Sequence, residues 1–86
     1  NNNDDRNLYS QAAEVFEKVA KDFPHTEAEI GAYSNLGMCY EMLEQWAKAV
    51  EAYDMVIRRY EEGENVGEEA RSFATQHKQY IVANKF

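Results

Sequence analysis

The chain of 86 residues predicts an all-α domain of antiparallel helix-turn-helix repeats, about four helices in all. Three observations carry that expectation. Apolar residues recur at three- and four-residue spacing along most of the sequence, only four Gly and one Pro interrupt them, and strong helix formers such as Ala, Glu, Lys and Gln fill the positions between. A domain of this size buries about 60–65% of the surface its unfolded chain exposes, so its core must be efficient. The 44% hydrophobic content supplies large side chains for that core.

The opening "NNNDDRN" is polar and aperiodic, and residues 1–7 are expected to form a disordered lead-in to a helical domain over 8–86. A first helix follows over 8–23, with Leu8, Ala12, Phe16, Val19, Ala20 and Phe23 on one stripe. Glu14 and Lys18, and Glu17 and Lys21, are spaced as i,i+4 pairs on its other side. Pro24 ends this helix, because the residue before a proline is driven out of the α region. Thr26 with Glu29 three residues on has the spacing of a capping box and starts the next.

The second helix, about Glu27 to Leu43, sets Ile30, Tyr33, Leu36, Gly37, Tyr40 and Leu43 on one face. "LEQ" gives a short break. The third, about Trp46 to Glu61, repeats the device with Ala49, Val50, Tyr53, Val56, Ile57 and Tyr60. After the soft segment "EEGENVG" a fourth helix carries Val66, Ala70, Phe73, Ala74, His77, Tyr80 and Ile81, over about 66–84. Short loops make sequential helices antiparallel neighbours.

A formal charge of −7, from 16 acidic and nine basic residues, opposes approach to a phosphate backbone, and no nucleic-acid partner is expected. No stretch reaches the roughly 20 apolar residues of a membrane span. An opening Asn1 in place of Met reads as a cut-out domain or a processed product.

Chemistry has few candidates. Cys39 is the one cysteine, and only His25 and His77 could serve it as base or co-ligand; neither is placed beside it by spacing, so a small packing residue is the expectation. One Cys and two distant His do not make a zinc set, and Gly63 and Gly67 bracket a linker, with no phosphate-cradling loop around them. Glu68 and Glu69 suit the N-terminal dipole of the fourth helix. The expectation is no catalytic site, no metal and no cofactor. His77 is expected as an inexact core substitute for a tyrosine.

An internal repeat organises all of this. "LYSQAAEVFEKVAKDF" (8–23) aligns with "QWAKAVEAYDMVIRRY" (45–60) at a shift of 37 residues. Tyr9 then meets Trp46, Ala12 meets Ala49, Phe16 meets Tyr53, Val19 meets Val56 and Phe23 meets Tyr60. The same shift carries Leu36 to Phe73, Gly37 to Ala74, Tyr40 to His77 and Leu43 to Tyr80. First and third helices are one kind of element and second and fourth another.

Tyr33, Leu36-Gly37, Tyr40, Ala49, Tyr53 and Val56 resemble the tetratricopeptide repeat in its own spacing, and Ala12, Phe16, Val19 and Pro24 match the second half of a preceding unit. The resemblance implies a short α-solenoid of helix order B-A-B-A: a half repeat over 8–23, a full repeat over 27–61, and a half repeat or capping helix over 66–84. The period of 37 exceeds the usual 34 or so. In this the chain resembles the longer-period repeats of bacterial envelope proteins, which would imply a bacterial cytoplasm or periplasm as its compartment. Glu61 stands where the family has a linker proline, and Ala74 and His77 replace the glycine and tyrosine of the motif.

By the same resemblance, a protein or peptide partner would contact the concave positions of the A-type helices: Ser34, Met38, Glu41 and Met42 on the second helix, and Arg71, Thr75 and Lys78 on the fourth. Met38 and Met42 could adapt to a partner's side chains or pack between helices, and Arg71 and Lys78 could attract a carboxylate or only solubilise. Self-association, as a homo-oligomer or by stacking on neighbouring repeats of a longer chain, is the other use of such a fold.

Overall fold

The computed structural model describes residues 2–86. Four helices, α1 (Asn2–Asp22), α2 (Glu27–Met42), α3 (Trp46–Glu61) and α4 (Glu68–Lys85), hold all its regular structure among the described residues. Each packs on the next, and α2 and α4 meet only along a narrow seam. The 17 Å shortest extent is that of two helix layers. α2 and α4, the A-type helices, form one layer, and α1 and α3 the other.

The centre is Tyr53, which is fully buried. Its ring lies against Gly37, where a Cβ would sit 2.5 Å from Cζ and 2.8 Å from Cδ1. The α2–α3 crossing is therefore closed to the point where only hydrogen fits on that face of α2. Leu36, Cys39, Tyr40 and Leu43 of α2, and Ala49, Ala52 and Val56 of α3, complete this layer of the core. Phe73 of α4 meets the Tyr53 ring edge-on at 6.0 Å, and Ala74 and Ile81 are sealed beside it.

The turns follow from their hydrogen bonds. At the end of α2, Glu44 N donates to Glu41 O and Gln45 N to Tyr40 O; at the end of α3, Gly63 N donates to Tyr60 O and Glu64 N to Arg59 O. Both are Schellman endings, which need a left-handed residue. Gly63 provides it at φ +80°, whereas the earlier turn forces Glu44 to φ +57°. At the start of α2, Thr26 Oγ1 accepts from Glu29 N at 3.2 Å, as the capping-box spacing predicts. The reciprocal arm is displaced: Glu29 Oε1 accepts from His25 N at 3.0 Å, one residue before the cap.

Glu29 is also the one buried charged residue among the described residues. Arg59 near the end of α3 meets it in a two-pronged pair, Nε to Oε1 at 2.9 Å and Nη2 to Oε2 at 3.0 Å. The guanidinium beside it holds the Glu29 carboxyl below its ordinary range, although burial works the other way.

Three expectations are corrected. α1 runs back to Asn2, so backbone expected as a disordered lead-in is helical; Arg6 Nη2 donates to the Leu43 carbonyl at 3.1 Å and fastens this end of α1 to the end of α2. Lys18 pairs with Asp22 at 2.8 Å instead of Glu14. Leu8 and Phe23, read as core, are exposed, while Ala13 is buried.

Gly37→Ala should destabilise the domain by about 2 kcal/mol in urea titrations, since overpacking against a ring that cannot move outweighs the roughly 1 kcal/mol gain in helix propensity; an unchanged midpoint would refute the close crossing. Glu44→Gly should raise stability by about 0.5–1 kcal/mol by relieving the left-handed strain, and a loss would contradict that assignment. Glu29 has a lowered folded-state pKa, so its contribution is complete above its unfolded pKa and is lost as pH falls through the folded one. Glu29→Gln should cost about 3 kcal/mol at neutral pH and flatten the stability-versus-pH curve below about pH 5. Parallel curves for the two proteins would show that the pair is not the source of acid sensitivity.

Candidate functional site

The structure divides the residues expected on the concave face between two recesses. Met38, Glu41 and Met42 line one of about 490 Å³ between α1 and α2, together with Tyr9, Phe16, Asn35, Cys39 and His77. Arg71, Thr75 and Lys78 line another of about 540 Å³ between α3 and α4, with Ile57, Tyr60, Glu61 and Gln79. Ser34 is half-buried and lines neither.

The first recess is predominantly apolar. Met38 and Met42, one helical turn apart, are 38% and 55% exposed, so neither is consumed by packing between helices. Tyr9 and Phe16, two turns apart on α1, face them across the recess. At its edge Glu41 Oε2 accepts hydrogen bonds from the Tyr53 hydroxyl and from His77 Nδ1, the latter at 2.7 Å. This three-residue link ties α2, α3 and α4 together where α2 and α4 come closest. Burial, and after it Glu41, pushes the Tyr53 hydroxyl far above the ordinary tyrosine range, so it remains a donor. His77 stacks on Phe73 at 4.0 Å between centroids and takes the place that its repeat counterpart Tyr40 fills in α2.

In the second recess the basic stripe is already engaged. Arg71 pairs with Glu68 and lies over the Tyr60 ring, Lys78 Nζ is 2.7 Å from Asp54 Oδ1, and the Thr75 hydroxyl donates to the Arg71 carbonyl at 2.9 Å. A carboxylate ligand there would compete with carboxylates of the chain itself.

Cys39 is buried, and burial pushes its thiol up, the reverse of what an activated nucleophile needs. One cluster escapes sequence reading: the ligand atoms of His25, Glu29 and Glu64 lie within 4.8 Å of one another. His25 Nδ1 is 2.6 Å from Glu64 Oε2, joining the first and third loops. Arg59 occupies both oxygens of Glu29, so a cation there would meet a fixed guanidinium, and the arrangement is a clasp between loops.

Tyr9 and Phe16 are the residues that motif transfer leaves out of the site. Their repeat counterparts, Trp46 and Tyr53, differ in one respect that could have signalled this: Tyr53 lies between an A-type helix on each side, whereas α1 has an A-type helix on one side only, and Phe16 stays half-open.

No curated protein and no solved structure matches the chain. The profile of the tetratricopeptide repeat matches residues 30–62, which run from Ile30 in α2 through α3 to the C-cap Glu62. This is the hairpin closed by Gly37 and Tyr53, and that unit matches the tetratricopeptide repeat.

Proposed function

We propose that the chain is a non-catalytic interaction module that holds a peptide or helix of a partner protein against the α1–α2 recess. The observation that carries this reading is the pair of exposed methionines opposite Tyr9 and Phe16, an apolar surface with adaptable side chains. A further recess of about 440 Å³, between α1, α2 and α3, sets Glu17, Lys21, Lys48, Glu51 and Arg58 around a floor of Tyr33, Leu36, Tyr40 and Met55, and it lacks the exposed methionine pair. The family's usual role as a protein-binding scaffold supports the same reading, as do the buried Cys39 and the engaged carboxylates, which leave catalysis without an activated group. Ser34, Arg71, Thr75 and Lys78 take no part in this contact; Met38, Met42 and Glu41 do.

A second reading, stacking on further repeats or on another copy, rests on the comparison of repeat counterparts. Val15 is 61% exposed where its counterpart Ala52 is 3%, and Tyr80 is 56% exposed where Leu43 is 4%. Both outer faces thus present apolar groups that the central hairpin covers. Sedimentation of the isolated domain across a concentration series tests it: association that Val15→Lys abolishes would support stacking, and a monomer throughout would remove it.

For the primary reading, peptides selected by display against the wild-type domain should bind the Met38→Gln, Met42→Gln double variant about tenfold more weakly, with thermal stability nearly unchanged. Equal binding to both proteins would place the contact elsewhere.

A further inference from the structure

We propose that the segment held in the α1–α2 recess is cationic: a peptide with lysine or arginine side chains flanking an aliphatic or aromatic anchor. This rests on the reading of the recess as the partner site and adds the chemistry of the partner.

Carboxylates outnumber cations around the recess. Its lining holds no lysine or arginine, and one carboxylate, Glu41. Both bonds to that carboxylate fall on Oε2, so Oε1 has no hydrogen-bond partner among the described residues. A carboxylate oxygen can only accept, so Oε1 is open to water or to a proton donor of a partner. The rim repeats the sign. Asp5 precedes Tyr9 by one helical turn on α1 and is exposed; Glu44 follows directly after α2; Glu27 lies three turns before Met38 on the same face, and both glutamates are exposed. Arg6, the nearest cation along α1, donates to the Leu43 carbonyl and keeps its charge there, one cation against the carboxylates of Asp5, Glu41 and Glu44.

Elsewhere four of the basic residues, Arg59, Arg71, Lys18 and Lys78, are held by carboxylates of the chain. The formal charge of −7 leaves the chain acidic overall, and an anionic peptide would meet net repulsion around the recess. The methionine floor sets where the partner's anchor sits, and the Glu41, Asp5, Glu44 and Glu27 carboxylates set the sign of its flanks.

Two fluorescein-labelled amphipathic helical peptides test this, with identical leucine faces and either lysine or glutamate on the other face, followed by anisotropy at about pH 8 and low salt. The lysine peptide should bind about tenfold or more tightly than the glutamate peptide, and added salt should narrow the gap. Glu41→Gln should weaken the lysine peptide severalfold, and the Met38→Gln, Met42→Gln variant should weaken it about tenfold without altering the formal charge. A thermal melt of Glu41→Gln checks that its link to Tyr53 and His77 survives.

Equal affinities for the two peptides, both reduced by the methionine substitutions, would overturn the cationic preference and leave the recess as the partner site. A lysine peptide that binds the wild type and both variants alike is held by the general negative surface, which overturns the proposal. Binding of neither peptide overturns both the preference and the recess.

Discussion

The approach of Tyr53 to Gly37 governs the rest of the structure. A side chain as large as tyrosine can be sealed between three helices only if one of them presents no Cβ, and Gly37 is the place where α2 does so. Once the ring is seated, its hydroxyl is carried to Glu41 and its outer edge to Phe73, so a single contact sets the α2–α3 crossing and supplies the surface on which α4 docks. The apolar packing and the polar link among α2, α3 and α4 share this one side chain.

The same contact explains why the two recesses differ although the repeat makes their helices equivalent. In the α3–α4 pair, Arg71 and Lys78 occupy the positions that Ser34 and Glu41 hold in α2, and they find acids at Glu68 and Asp54. In the α1–α2 pair, Ser34 is short and Glu41 turns to Tyr53 and His77, and the recess keeps an exposed methionine pair. Equivalent backbones have thus been given opposite surface chemistry, one closed by internal ion pairs and one left to accept an apolar group. Exposed pairs of that kind add little to stability, typically below about 1 kcal/mol, so their effect is to shape the surface.

Much of the fold is legible in the sequence because local signals and the repeat agree. α3 runs from Trp46 to Glu61 as its apolar stripe predicts, and Pro24 and "LEQ" fall in turns. What the sequence hides is tertiary. Nothing in "NNNDDRN" announces a helix, and its extension is fastened by Arg6 to a carbonyl 37 residues away. Glu29 reads as half of a capping box, but its second partner is Arg59, and the His25–Glu64 contact spans 39 residues. For the candidate recess, the register points to Met38 and Met42, whereas Phe16 reads as core and Tyr9 only as the counterpart of Trp46, because their exposure depends on which neighbouring helix is present. Arg71 and Glu68, three residues apart, could have been recognised as a pair; Lys78 and Asp54 could not.

The Glu29–Arg59 pair lies at the opposite end of the α2–α3 hairpin from the Schellman turn at Glu44. The hairpin is therefore shut at both ends, by chain connectivity at one and by a buried charge pair at the other. It forms a topologically closed ring around Gly37 and Tyr53. α1 and α4 are held to the ring by side-chain ties that are partly open to solvent and not by a buried charge pair: Arg6 on the Leu43 carbonyl for α1, and His77 on Glu41 with Lys78 on Asp54 for α4. Opening of the outer helices is consequently possible without opening the ring, while the ring cannot open without releasing the surfaces to which both are docked. The α1–α2 recess, made half of α1 and half of α2, therefore depends on the less firmly closed part of the domain.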